Sequence, residues 1–135
     1  MVDLEFVVNE EKYWEFIREL RVMKGITQGF VEQKDITVEQ QRQYMKKFNN
    51  NFYICLYKSD PAGYIGIIEN DIRVATHPQF QGKGIGSFMV NSVMEMYPDA
   101  YAKVKIDNIA SYNLFKKCGF KVNQFVAEKY YVLGR

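Results

Sequence analysis

The residues best suited to chemistry lie in the stretch Gln79–Phe88, written QFQGKGIGSF, where three glycines alternate with other residues. Glycine has no Cβ, so successive backbone N–H groups in such a stretch can point at one anion. Apolar residues at helical spacing follow, and a helix N-terminus concentrates about half a positive charge. The sequence therefore predicts a backbone cradle for a phosphate or pyrophosphate group.

Two familiar phosphate-binding patterns do not fit this stretch. A Walker loop requires glycine at position 77 and Ser or Thr at position 84, where this chain has His77 and Gly84. The dinucleotide fingerprint requires glycine at position 87, which is Ser87, and a place after the first strand of a nucleotide-binding fold. The alternative is that the glycines only make a tight strand-to-helix turn, although one or two glycines suffice for such a turn.

The composition of the chain argues against several classes of protein. The 135 residues, 47% of them hydrophobic, predict one globular domain, and 18 basic residues against 16 acidic ones give no polybasic stretch for nucleic acid. No apolar run approaches the ~20 residues that span a bilayer, and the acidic N-terminus is unlike a signal peptide. Cys55, Cys118 and the single histidine, His77, lack the spacing of a metal site. We expect no metal, no nucleic acid, no membrane association, reduced thiols and a cytoplasmic location.

The elements that must position the glycines follow in a clear order. The β-rich runs are residues 2–8, 51–58, 63–68, 72–76, 102–106 and 120–133. Between the first two runs, one helix is predicted to begin after Asn9 as its N-cap, and a second at the capping box Thr37–Gln40. A third helix follows the glycines, and a fourth runs from Asp107 to Cys118. The glycines therefore join the last strand of an antiparallel meander to a helix.

Two separate motifs carry a resemblance to a known family. Residues 81–86, QGKGIG, have the form Q/R-x-x-G-x-G/A, and they resemble the acetyl-CoA motif of the GNAT superfamily of N-acetyltransferases. Residues 108–120, NIASYNLFKKCGF, resemble the later signature of the same superfamily, N-x-x-A/S-x-x-[LF]-Y-x-x-x-G-F. The order of elements also agrees over essentially the whole chain. The resemblance implies a single α/β (α+β) domain over residues 1–135, with a mixed, mainly antiparallel central sheet flanked by about four helices.

The resemblance also implies which residues bind acetyl-CoA as cosubstrate. The backbone N–H groups of the glycine stretch would hold the pyrophosphate, and the strand before it would pair with the pantetheine arm and polarise the thioester carbonyl. Asn108 would reach the pantetheine from the other wall, although it can also be a helix N-cap. The implied cofactor-binding residues are Val74, Ala75, Thr76, Gln81, Gly82, Lys83, Gly84, Ile85, Gly86, Ser87, Asn108 and Phe115.

The acid and base of the reaction are less clearly marked. Phe115 stands where many family members have a tyrosine that protonates the departing CoA thiolate, and phenylalanine has no proton to give. Tyr112, one helical turn earlier, is a substitute acid or simply a core residue. Carboxylates near the start of the central strand are the usual bases in this family, so the resemblance implies Glu69 and Asp71 as the candidate bases, although Asp71 and Arg73 can also form an exposed ion pair.

The acceptor side is predicted from position in the family's architecture. Gln28 and Phe30, between the first two helices, and Tyr130, in the final hairpin, would line it. We therefore expect an N-acetyltransferase that acts on a small-molecule or peptide amine, as a monomer or homodimer. The alternatives are a CoA-binding module with little or no activity and a nucleotide-binding regulator that uses the same glycines.

Overall fold

The computed structural model describes residues 3–23, 36–126 and 129–135. The strands are Leu4–Val8 (β1), Phe52–Tyr57 (β2), Asp60–Ile68 (β3), Asp71–Thr76 (β4), Tyr101–Lys105 (β5), Lys121–Val126 (β6) and Tyr130–Gly134 (β7). The α-helices of the described residues are Trp14–Val22 (α1), Val38–Phe48 (α2), Ile85–Met96 (α3) and Ile109–Lys117 (α4). The strands form one sheet in the order β1-β2-β3-β4-β5-β7-β6, antiparallel throughout except between β4 and β5. The expected mixed, mainly antiparallel sheet with about four helices is confirmed.

Two tight turns build the meander β2-β3-β4. Each turn has two residues with positive φ, Lys58 and Ser59 in the first and Glu69 and Asn70 in the second, as type I′ hairpin turns require. The first turn therefore lies earlier than predicted, because Asp60 and Pro61 already belong to β3. Proline is tolerated there because it stands near the start of the strand, beside a β-bulge in β2.

The two N-terminal helices begin differently from one another. The predicted capping box of α2 is confirmed: the Thr37 hydroxyl accepts from the Gln40 N–H, and the Gln40 side chain accepts from the Thr37 N–H. The prediction that Asn9 caps the first helix is wrong. Asn9 is 3% exposed, and its amide donates to the Met45 sulfur at 3.5 Å, so it links β1 to α2 instead. A 3₁₀ turn at Glu11–Tyr13 leads into α1.

The helices cover both faces of the sheet. One face carries a core to which α3 contributes Ile85, Met89, Val90, Val93 and Met94, and α4 contributes Phe115. The other face carries a second core, in which Ile17 and Leu20 of α1 and Met45 of α2 pack against the sheet. Since successive side chains of a strand point to opposite faces, β4 sends Ile72 to the first core and Ala75 to the second.

The parallel pair β4–β5 is joined at its beginning alone. Among the residues that the structure describes, Asp71 and Tyr101 are the one registered pair, and the Tyr101 N–H donates to the Asn70 carbonyl at 2.8 Å. Beyond this point β4 pairs with β3 and β5 pairs with β7. The facing edges of β4 and β5 therefore form a cleft that is closed at Asp71 and open toward Thr76.

Candidate functional site

A pocket of about 270 Å³ lies beyond the end of β4, where the glycine turn enters α3 and the first turns of α4 pack beside it. It is lined by Thr76, Phe80, Gln81, Gly82, Gly84, Ile85, Gly86, Ser87, Ala110 and Leu114. The pocket thus sits at the N-terminus of a twelve-residue helix, where backbone N–H groups without intrahelical partners favour an anion.

The three glycines of this turn are required for two different physical reasons. Gly82 and Gly84 adopt φ of +82° and +76°, and a Cβ built on either would meet no heavy atom within 4 Å. A Cβ on Gly86 would instead lie 3.2 Å from the Leu114 side chain. Gly82 and Gly84 are therefore needed by the turn itself and face open space, while Gly86 lets α4 pack closely against α3. The open space beside Gly82 and Gly84 is where a bound phosphate would meet the backbone.

Most residues predicted for the cradle lie together in this pocket. Six of the seven residues from Gln81 to Ser87 line it, and Thr76 joins them from the end of β4. Lys83 lies beside the pocket, with its Nζ 5.0 Å from the centre of the Tyr57 ring. The sequence reasoning missed Phe80, Ala110 and Leu114 as lining residues. Ala110 and Leu114 are part of the second motif, which therefore carried the signal.

The edge of β4 that faces the cleft carries the backbone polar groups of two predicted residues. The His77 N–H donates to the Ala62 carbonyl at 2.8 Å, so the backbone of His77 faces β3. Because backbone groups alternate along a strand, the polar groups of Val74 and Thr76 face the cleft. Ala75 faces β3, and its side chain is buried in the second core. A role for Ala75 in cofactor binding stays a prediction.

The residues predicted on α4 lie outside the set that lines the pocket. Asn108 is the N-cap of α4: its Oδ1 accepts from the Ser111 N–H at 3.1 Å. Phe115 is 3% exposed and packs 5.1 Å from the Phe120 ring. The Tyr112 ring lies 5.2 Å from that of Tyr131. The direct contacts of Asn108, Phe115 and Tyr112 with a cosubstrate stay predictions.

The two candidate bases have different environments. Glu69 is exposed in the β3–β4 turn. The Asp71 side chain is 18% exposed, and burial raises its pKa above the ordinary value, against the opposing effect of two cations. These are Arg73, whose Nη2 is 4.0 Å from Asp71 Oδ2, and Lys103, whose Nζ is 3.9 Å from the same oxygen. Asp71 lies at the closed end of the cleft, five residues or about 16 Å along β4 from Thr76. A partly desolvated carboxylate at this place is a better base than an exposed one.

The remaining predicted residues divide into described and undescribed positions. Tyr130 is half-buried and lies opposite Lys105. Gln28 and Phe30 lie outside the described residues. His77 has a structural role, because its Nδ1 accepts from the Gln79 N–H at 3.1 Å.

Two kinds of site are not found in the described part of the chain. No group of three or more His, Cys, Asp or Glu side chains there could hold a metal ion. None of the described helices is long and apolar enough to cross a membrane.

Comparison with known proteins gives one family match and several close folds. A family model described as the acetyltransferase (GNAT) family matches residues 13–120. No protein with a curated description matches the sequence significantly. Spermidine N-acetyltransferase from Vibrio cholerae, solved with CoA and spermine, superposes with a TM-score of 0.86 at 16% identity, over 97% of this chain and 94% of that one.

Two further solved structures share the fold. YncA from Salmonella typhimurium, described as a putative acetyltransferase with its cofactor acetyl-CoA, gives a TM-score of 0.81 at 13% identity, over 98% of this chain and 92% of that one. RimL, the ribosomal L7/L12 alpha-N-protein acetyltransferase, gives 0.81 at 17% identity, over 100% and 91%. At these identities the likeness is one of fold.

Proposed function

Since the chain belongs to the GNAT acetyltransferase family, we propose that it transfers the acetyl group of acetyl-CoA to a primary amine. The observation that carries this proposal is the continuity of two features. The pocket at the N-terminus of α3 adjoins Thr76, and from there the unpaired edge of β4 leads into the cleft. An elongated molecule with a pyrophosphate at one end and an amide-containing arm fits this path.

The donor would be held mainly by backbone groups. The N–H groups of the turn from Gln81 to Ser87 and the dipole of α3 would bind the pyrophosphate, and Lys83 would add positive charge at its edge. The polar backbone groups of Val74 and Thr76 would pair with the pantetheine arm in the manner of an added strand. Such binding needs no metal and leaves the thioester inside the cleft.

The transfer step would be direct. The acceptor amine attacks the thioester carbonyl carbon, a backbone N–H on the edge of β4 stabilises the oxyanion, and the C–S bond then breaks to release CoA as the thiolate. Asp71, directly or through water, would take the proton that the amine loses. A covalent enzyme intermediate is not required. Burial raises the pKa of the Cys55 thiol to about 11, and Cys118 is buried, so neither cysteine is an activated nucleophile.

Phe115 supports one alternative function. It is buried against Phe120 and has no hydroxyl, so the tyrosine acid of many family members is missing at this position. A protein that keeps the CoA site but catalyses little would show the same feature. We favour the enzyme because a thiolate can leave and be protonated by water, at the loss of part of the ~10²–10⁴-fold that a general acid supplies.

Two measurements on the full chain separate these functions. Calorimetry gives the affinity for acetyl-CoA, with ATP as competitor, and thiol release gives the rate of transfer to a broad panel of amines. We expect binding of acetyl-CoA, weak competition by ATP, and amine-dependent release of CoA. Tight binding with no amine acetylated would favour the binding module, and equal competition by ATP would favour the nucleotide-binding regulator.

The class of acceptor, the cellular location and the oligomeric state are also part of this proposal. Neighbours named as a spermidine N-acetyltransferase and as a ribosomal L7/L12 alpha-N-protein acetyltransferase indicate that this fold serves both small amines and proteins. Both cysteines are free, which suits a reducing cytoplasm. A monomer or homodimer is consistent with this proposal.

A further inference from the structure

We infer that the acceptor of this enzyme carries an anionic group, a carboxylate or a phosphate, close to its reacting amine. The inference rests on the proposed function, because it concerns what lies beside the thioester in the cleft. It follows from a cluster of positive charge on one face of the sheet, next to the edge of β4. We call this cluster the cationic face, and it consists of Arg21, Arg73, Lys103 and Lys105.

The pairing of β4 with β5 places the three strand residues of the cationic face on the same side of the sheet. Asp71 and Tyr101 are paired across β4 and β5, so their side chains point to the same face of the sheet. With a period of two, Arg73 on β4 and Lys103 and Lys105 on β5 lie on that face as well. The contacts of Arg73 and Lys103 with one oxygen of Asp71, at 4.0 and 3.9 Å, agree with this placement. Arg73 and Lys103 therefore flank the closed end of the cleft, and Lys105 lies farther along β5, toward the open end.

Helices α1 and α2 bring the fourth cation over the same face. The Arg21 guanidinium lies 4.8 Å from the centre of the Tyr44 ring and donates to Gln41 Oε1 at 3.1 Å. Arg73 Nη1 donates to the Tyr44 hydroxyl at 3.2 Å. Both arginines are thus held by the neutral Tyr44, with Gln41 as a second neutral partner of Arg21. This arrangement fixes the positions of the guanidinium groups without neutralising their charge.

Negative charge on this face is scarce. Among the ion pairs of the described residues, Asp71 is the one carboxylate that contacts the cationic face. Glu69 and Asp107 lie in the turns beyond the ends of β4 and β5. On the helices, Glu15 is bound by Arg18, and Glu39 accepts from the Gln43 side chain. The cationic face therefore combines four cations with one contacting carboxylate, and it would repel an acceptor that carries additional ammonium groups.

The guanidinium of Arg73 retains capacity for a ligand. It has five N–H donors, of which one is used by Tyr44, and its contact with Asp71 is at the outer limit of an ion pair. Arg73 also directly precedes Val74, whose backbone faces the cleft. A carboxylate or phosphate on the acceptor would bind Arg73 and Lys103 while the amine of the same molecule lies near the thioester. For a polyamine, the carboxylate in contact with this cluster is that of Asp71.

The experiment compares matched pairs of amines in the thiol-release assay. γ-Aminobutyrate is paired with putrescine, in which a second ammonium replaces the carboxylate, and phosphoethanolamine is paired with ethanolamine, in which a neutral hydroxyl replaces the phosphate. The two pairs distinguish carboxylate from phosphate. We expect kcat/KM for the anionic member of at least one pair to be about tenfold or more above that of its partner. If neither anionic amine exceeds its partner by about tenfold, the inference is overturned and the proposed function stays intact.

Variants test whether the cationic face causes the preference. Arg73→Gln should lower the ratio of kcat/KM for the preferred anionic amine to kcat/KM for its partner by about tenfold to a hundredfold, as expected for loss of a charge-assisted hydrogen bond. Because Arg73 also contacts the proposed base Asp71, the effect is measured as this ratio within each pair of amines. Arg73→Lys should keep most of the preference. Lys103→Gln should weaken it without risk to folding, since Lys103 is exposed. Lys117→Gln, on the exposed surface of α4 across the sheet, is the control. An anionic preference that Arg73→Gln and Lys103→Gln both leave unchanged would overturn the inference.

A binding measurement covers the case in which no amine is acetylated although acetyl-CoA binds tightly, a result that would count against the proposed function. With CoA bound, calorimetry compares N-acetyl-γ-aminobutyrate with N-acetylputrescine. Tighter binding of the former, reduced by Arg73→Gln, would support the cationic face as an anion site. Equal affinity would overturn it.

Discussion

A pair of glycine substitutions tests the cradle and separates binding from folding. Gly84 and Gly119 both adopt a left-handed backbone, with φ of +76° and +89°, but Gly84 lines the pocket and Gly119 does not. Replacing glycine by alanine in this left-handed backbone conformation lowers the free energy of unfolding by about 1–2 kcal/mol at either position. A Cβ at Gly119 would meet Arg135 Nε at 3.9 Å, which is ordinary contact. Gly84→Ala and Gly119→Ala should therefore lose similar stability, a fall in Tm of about 3–8 °C.

The two variants should differ in acetyl-CoA affinity. At position 84 the methyl group would enter the open space beside the N–H groups of the turn and hold the pyrophosphate away from them. Loss of one charge-assisted hydrogen bond costs ~1.5–3 kcal/mol, which raises Kd by about tenfold to a hundredfold. Gly119→Ala should keep the affinity of the wild type.

Thermal melting and calorimetry, the latter well below both Tm values, check these expectations. If both variants bind acetyl-CoA as tightly as the wild type does, the anion does not meet the backbone at Gly84 and the cradle is contradicted. If both variants lose affinity equally, the loss comes from general destabilisation. A valine at position 84 would be a poorer test, because a β-branched residue is more strained at positive φ.

Three other substitutions test single groups. Tyr112→Phe keeps the ring contact with Tyr131, so turnover should stay within a few-fold of wild type; a loss of ~10²-fold with normal acetyl-CoA affinity would make Tyr112 the general acid. Asp71→Asn should lower kcat/KM by ~10²-fold or more if Asp71 is the base. Folding raises the pKa of Asp71, so the folded protein is more stable when Asp71 is protonated than when it is ionised. This contribution to the free energy of unfolding is present in acid and is lost as pH rises through the folded pKa. In melting curves at neutral pH, Asp71→Asn should have a Tm equal to or above that of the wild type, and any increase in Tm should disappear in acid. A clear loss of stability at neutral pH would contradict this. Thr37→Ala removes the capping box of α2 and should cost about 1 kcal/mol in a denaturant titration, with acetyl-CoA affinity as the unchanged control.

The sequence predicted the parts of the fold that local rules determine. The capping box at Thr37, the tight β3–β4 turn and the helix after the glycines each depend on neighbouring residues, and each is present. Local rules also explain the errors. Asp60 and Pro61 are typical turn residues, but the turn formed at Lys58 and Ser59, because a two-residue turn with positive φ suits the twist of the strands.

The parts that the sequence did not predict depend on contacts between distant segments. Asn9 is a good N-cap by type, yet it is buried against Met45, which lies 36 residues away. The surroundings of Asp71 depend on Lys103, from a different strand. The cationic face likewise requires Arg21 and Tyr44 to come over β4 from two helices. Spacing along the chain cannot show such neighbours, although it does show which face each strand residue occupies.

Within the described residues one registered pair joins β4 to β5, so the sheet consists of two hydrogen-bonded blocks, β1–β4 and β5–β7. Between the blocks the ladder has one registered rung at Asp71 and Tyr101, and the helices that pack across the faces supply the remaining cohesion. A cosubstrate lying along the edge of β4 would act as a partial extra strand in this gap. Acetyl-CoA would then be a structural element as well as a reactant, and by mass action it would stabilise the junction between the blocks by an amount that rises with the logarithm of its concentration above Kd.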